Sequence, residues 1–224
     1  MWLWMAAIDL VIAAAVLVVF TRPGHHGGIA ATMEAAGCTY RDVPPFPPKD
    51  RKYSDYHRDV DTLESPARWS TFPPAAGTHF RLWRTWGFYT AAVNPLEVVH
   101  NEEHGGVVIW WGPNVPAATI AQLRRFYDEQ PVGMFGTPIA GLGSKIALTA
   151  WTADPTWKGE PGKSYFSGRY GMGRIAVCDR FEEGAFRAFR DAYRGHSPQG
   201  FPLKFDAPGC GPDQGCPTPK GGGL

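Results

Sequence analysis

The 224-residue chain sets 22 Lys and Arg against 21 Asp and Glu, a formal charge of +1, and shows no basic stripe that could follow a nucleic-acid backbone. Nucleic acid is therefore excluded as a partner. An apolar content of 44% with nine Trp suits one bulky core behind a short N-terminal segment.

From Trp2 to Phe20 the opening run, residues 1–20, is apolar except for Asp9. That is close to the roughly 20 residues that cross a bilayer. Trp2 and Trp4 stand where an interfacial aromatic belt falls. A cleaved signal peptide is the rival, but there is no basic n-region and no small-residue cleavage site directly after Phe20. The run predicts an uncleaved transmembrane anchor, with the membrane as one partner and a protein in or near it as another. Arg22, on the far side, would by a positive-inside count leave the domain in the cytoplasm. Cysteine usage points the other way, because an even set of four fits an oxidising compartment with two disulfides. The expectation is a single-pass cell-membrane protein whose domain lies outside the cytoplasm. Ala35-Ala36-Gly37-Cys38 lacks the leucine of a lipoprotein cleavage box and sits well past the apolar run, so lipidation is not expected.

Residues 21–38 read as a linker, with His25 and His26 solvated, and residues 39–205 as an α+β domain. Val43-Pro44-Pro45-Phe46-Pro47-Pro48 predicts an extended polyproline stretch, and residues 49–70 are polar without a clean period. A turn-rich loop over 72–80 ends in His79-Phe80, and Trp83, Trp86, Phe88 and Tyr89 follow. A helix is predicted over 95–104. Asn94 is its cap, Pro95 its first residue, Glu97 the partner in a capping box and Gly105 its stop.

Residues 107–111 read as a strand. Period-2 alternation sends Trp110 and Trp111 to opposite faces, the exposed one being a candidate contact. Residues 116–130 form a second helix, with Ile120, Leu123, Phe126 and Tyr127 inward. Gly141-Leu142-Gly143-Ser144-Lys145 lacks the full phosphate-loop pattern and reads as a turn into a strand over 145–151. A further strand spans 174–178, and a helix spans 182–194 with Phe181, Phe186, Phe189 and Tyr193 as its buried stripe. The Gly/Pro-rich tail 206–224 predicts no regular structure. Cys210 and Cys216 can close that tail, leaving Cys38 and Cys178 to staple the start of the domain to a late strand; three pairings are open. The mixture predicts a small mixed or antiparallel sheet with two or three packed helices.

The chemistry gathers at His100-Asn101-Glu102-Glu103-His104. Histidines four apart share a face only on a helix; on a strand they would stand about 13 Å apart at roughly 3.3 Å per residue. Leu96, Val99, His100, Glu103 and His104 form one inward stripe, which places two imidazoles and a carboxylate where unsatisfied polar groups are costly. With His79 they make a three-histidine metal site for copper or zinc. Glu103 either orients an imidazole or serves as base for a bound water, the one catalytic candidate. Met134 is a further donor for copper by residue type.

The same string fits the H-x-x-E-H of inverted zinc peptidases, with Glu182 or Glu183 as the distant ligand, but Gly105-Gly106 ends this helix at once. No Cys-x-x-Cys supports a redox role. The remaining alternative is a partner-binding module that uses Trp83, Trp86, Tyr89, Trp110 and Trp111 as an aromatic surface, with structural histidines.

Several elements occur in one order: Pro73-Pro74-x-x-Gly77-x-His79, Trp86-Gly87-x-Tyr89, His100-x-x-Glu103-His104-Gly105, Leu148-Thr149-Ala150-Trp151 and Cys178. With Gly37-Cys38 before them and an amphipathic helix after, the chain resembles the bacterial family called domain of unknown function 3105 over most of 37–195. The resemblance implies an exported, membrane-anchored protein and no established activity. Two places depart from it: Pro-Pro-Ala-Ala-Gly stands where the family tends to Pro-Pro-Thr-Ser-Gly, and Glu102 stands where it tends to leucine.

Overall fold

The residues with the strongest β preference pair at the centre of the molecule. The computed structural model describes residues 27–44, 57–58, 69–80, 83–153 and 171–198. In chain order these form α1 (Gly27–Ala35), β1 (Cys38–Val43), β2 (His57–Arg58), β3 (His79–Phe80), α2 (Pro95–Glu103), β4 (Val107–Trp111), α3 (Ala117–Glu129), β5 (Met134–Pro138), β6 (Ile146–Thr152), β7 (Met172–Cys178) and α4 (Glu183–Tyr193). Five strands make one mixed sheet in the order β1-β7-β6-β4-β5, in which only β4 and β5 run parallel. β2 and β3 form a separate parallel pair. The α+β class is as expected, with four helices among the described residues where two or three are predicted.

The predicted anchor, the polyproline stretch beyond Pro44, and the tail with Cys210 and Cys216 lie outside the described residues. Among the described residues no helix is long and apolar enough to cross a membrane.

Every residue of β4 and β6 is buried, because both faces of the sheet are covered. One face carries α1, α3 and α4. There Met33, Leu123, Phe126, Phe186 and Phe189 pack on Ile109, Leu148 and Ala176. The other face carries α2 and the segment before it, with Trp86, Val93 and Val98 against Val108, Trp110 and Ala147. Trp110 and Trp111 do point to opposite faces, but each is covered, so neither offers the exposed contact that alternation predicts. Cys38 and Cys178 stand directly opposite each other on β1 and β7 and are joined by a disulfide.

Besides the short strands β2 and β3, which fall in stretches read as aperiodic and as a loop, two longer elements differ from the sequence reading. Residues 27–35, read as part of a linker, are helical. Ile29-Ala30-Ala31-Thr32-Met33 consists mostly of helix formers hidden behind a Gly-rich start, and Met33 docks into the core. Gly37, at φ +82°, ends the helix one residue before the disulfide. β5, with a central Gly136 and a terminal Pro138, lacks a strand's composition. Pro138 is tolerated at the end of an edge strand. Gly136 is required by Phe88, whose ring would lie 2.4 Å from a Cβ there.

Candidate metal centre

α2 begins at the predicted cap and ends at the predicted stop, while Glu97, expected to complete a capping box, lies 3.8 Å from Arg84. The Asn94 side chain accepts from the Leu96 N–H at 3.0 Å, Pro95 begins the helix, and Gly105 at φ +85° turns the chain out of it. The inward stripe widens in the structure. Leu96, Val98, Val99, His100, Asn101, Glu102 and Glu103 are all buried, since the helix is enclosed between the sheet and the segment before it. His104, at the C-cap, is half-buried. Gly106 follows because a Cβ there would lie 2.6 Å from the Trp86 ring and 2.8 Å from the Asn101 carbonyl.

The loop before β3 carries His79 to this helix. Pro73 to Phe80 are buried, which is unusual for a loop and leaves its polar groups in need of partners. His79 Nδ1 lies 2.7 Å from the Gly77 carbonyl and His100 Nδ1 2.6 Å from the Phe80 carbonyl. A carbonyl only accepts, so both Nδ1 atoms carry hydrogen, and in the neutral rings both Nε2 atoms present lone pairs. His100 is held neutral: burial, followed by the neighbouring His79, pushes it down to about 3.

His79 Nε2 is 3.0 Å from Glu103 Oε2, and His79, His100 and Glu103 each bring a donor atom within 4.8 Å of the others. His79 is 0% exposed, His100 4% and Glu103 1%. His104 lies outside this trio, but its Nε2 is 2.9 Å from His100 Nε2 and the two rings stack at 4.7 Å. An imidazole lone pair and an ionised carboxylate oxygen both accept. At 3.0 Å they need a positive particle between them, a proton or a metal ion. Around an ion with tetrahedral bonds of about 2.0 Å, donor atoms stand roughly 3.3 Å apart. Glu103, expected in support of the histidines or as a base, thus stands directly against His79.

The surrounding residues hold the trio in place. Trp151 meets His79 edge-on at 5.7 Å, and the half-buried Trp83 lies over His100 and His104 at 5.5 and 5.7 Å. Asn101 clamps the backbone beside Trp83, accepting from the Arg84 N–H at 3.1 Å and donating to the Arg84 carbonyl at 2.8 Å. Glu102 points to the sheet, where Thr149 donates to its Oε1 and Trp110 Nε1 donates to Thr149 at 2.7 Å. Burial lifts the Glu102 carboxyl well above its ordinary value. Sequence reading assigned no role to Asn101 or Glu102. Their partners lie 17 and 47 residues away, and no local spacing signals such contacts.

The other candidates fall elsewhere. Met134 packs in the core on the opposite face of the sheet and does not join the histidines. Glu183 pairs with Arg187 on α4, with Glu182 just before it, also on that opposite side. The aromatic set is mostly core: Trp86, Trp110 and Trp111 are buried, and Tyr89 stacks on Phe135.

A family model described as a protein of unknown function (DUF3105) matches residues 62–200, more than half of the chain, and it spans every member of the His/Glu group. The Gly37-Cys38 start lies before that match. No curated protein matches the chain. No solved structure does either.

Proposed function

We propose that this chain, which belongs to the DUF3105 family, binds a transition-metal ion, copper or zinc, between His79, His100 and Glu103 in a domain held outside the cytoplasm by residues 1–20. One observation carries the reading. Two imidazoles have their Nδ1 atoms fixed by backbone carbonyls, which leaves His79 Nε2 against the buried Glu103 carboxylate at 3.0 Å and His100 Nε2 against His104 at 2.9 Å, with His79, His100 and Glu103 each offering a ligand atom within 4.8 Å of the others. Nitrogen-rich, oxygen-completed donor sets suit zinc and copper(II), and a carbonyl on the far nitrogen is the usual orienting partner of a ligating histidine. The ion's role is metal handling or metal-dependent chemistry, with a protein partner in or near the membrane. The extracytoplasmic placement is supported by the apolar run Trp2 to Phe20 and by the Cys38–Cys178 disulfide, which persists in oxidising compartments.

A second reading shares the same distances. His79–Glu103 at 3.0 Å and His100–His104 at 2.9 Å are also hydrogen-bond lengths, and a proton in each gap would make the group a polar core. Elemental analysis of the full-length protein after incubation with copper(II) or zinc(II), beside His79→Ala and His100→Ala, separates the two. One equivalent, lost in both variants, is expected; none in the parent chain sinks the metal reading. For the anchor, the chain is expected to stay with membranes through a carbonate wash, and release of the full-length chain would refute it.

A further inference from the structure

The four donors differ in how they meet solvent. His79, His100 and Glu103 are closed in, whereas His104 is half-buried at the C-cap of α2, where Gly105 turns the chain away. His104 also lies outside the trio, and meets it through the 2.9 Å approach to His100 Nε2 and the stacking of the two rings. Trp83, an aromatic cover of His104, is itself half-buried and sits in the segment between β3 and α2 rather than in the sheet. The backbone holds the other two histidines from behind through the Gly77 and Phe80 carbonyls.

We propose that His104 is the exchange position of the site: a fourth ligand on the solvent side that gives way to an external imidazole-type donor while the buried trio keeps the ion. This rests on the metal reading above. Three fixed donors retain an ion, and a fourth reachable from outside provides the position through which another molecule's histidine could deliver or withdraw it. A closed structural site, by contrast, buries all four of its ligands. The inference makes the centre one for handling or open-site chemistry rather than a staple of the fold.

Cobalt(II) alone is the probe, because its visible absorption reports the identity and geometry of its ligands. It is added to the full-length protein, to His104→Gly and to His100→Gly. One cobalt per chain is expected in the parent protein. His104→Gly is expected to keep one cobalt with shifted bands, and millimolar imidazole to return them to the parent positions. His100→Gly is expected to lose cobalt, with no recovery in imidazole, because its position is enclosed. If His104→Gly fails to fold, His104→Gln provides the stoichiometry and the shift. An unshifted spectrum in the His104 variants would show that His104 is no ligand. Loss of cobalt without imidazole rescue would make it a holding ligand. Either result overturns the exchange position, while absence of cobalt from the parent protein overturns the metal reading itself.

Discussion

Beneath α1, α3 and α4 the sheet meets hydrocarbon: Leu123, Phe126, Phe186 and Phe189 pack on Ile109, Leu148 and Ala176. Beneath α2 the burial is as complete, but alongside Trp86, Val98 and Trp110 it also encloses His100, Asn101, Glu102 and Glu103, with His79 beside them and Thr149 below. The first face gains on the order of 1.5–3 kcal/mol for each large apolar side chain taken out of water. The second buries apolar area too, but it must also satisfy each polar group in place, since an unpaired one costs on the order of 1–3 kcal/mol. The comparison teaches where stability and chemistry reside. The fold can rest on the apolar packing, stapled by Cys38–Cys178, and the buried polar cluster under α2 is where the molecule carries what the fold does not need.

That division can be broken at its strongest point. Phe189 is 0% exposed and meets Tyr193 and Tyr40 edge-on at 4.8 and 6.4 Å. Phe189→Ala is expected to cost about 3–5 kcal/mol in urea unfolding, through lost transfer energy and the cavity left behind. The chains that remain folded should bind the same cobalt per molecule as the parent, because α2, which carries His100 and Glu103, packs on the opposite face of the sheet. If the loss of stability came with a proportionate loss of metal per folded chain, the faces would be coupled and the division wrong.

How much of this was legible in the sequence follows the same division. Local signals read true: the Asn94 cap with Pro95, the Gly105 stop and the stripe Phe186, Phe189, Tyr193 each depend on residues within a few positions of one another. The likeness of the central motifs to one family also read true. Long-range packing did not. Which side of Trp110 and Trp111 stays wet depends on whether both faces are covered, and nothing in Val107–Trp111 records that. Gly27–Ala35 read as linker because its helix-forming residues follow two glycines. The histidines were legible as a group, but the part of Glu103 was not. Its place opposite His79 depends on how the buried loop 73–80 passes the helix.

The smaller prediction sharpens the comparison within α2 itself. Glu102 is 0% exposed; Thr149 donates to one oxygen, and Oε2 has no hydrogen-bond partner among the described residues. Burial raises its carboxyl well above the usual 4.5, so the folded chain keeps a proton that the unfolded chain releases as pH rises past that value. Above about pH 4.5 the folded state thus binds more protons, and the stability contributed by this group falls with rising pH, by up to about 1.4 kcal/mol per pH unit. Glutamine is neutral throughout and still offers an oxygen to Thr149. The stability of Glu102→Gln relative to the parent, measured by urea unfolding in chelator, should therefore rise steadily between about pH 5 and 7. Any loss from rearranged hydrogen bonds adds the same offset at every pH, and groups common to both chains cancel in the difference. Parallel curves would mean that Glu102 is as easily ionised folded as unfolded. The polar cluster would then hold a charge it can stabilise, rather than a neutral acid kept from ionising by its enclosure.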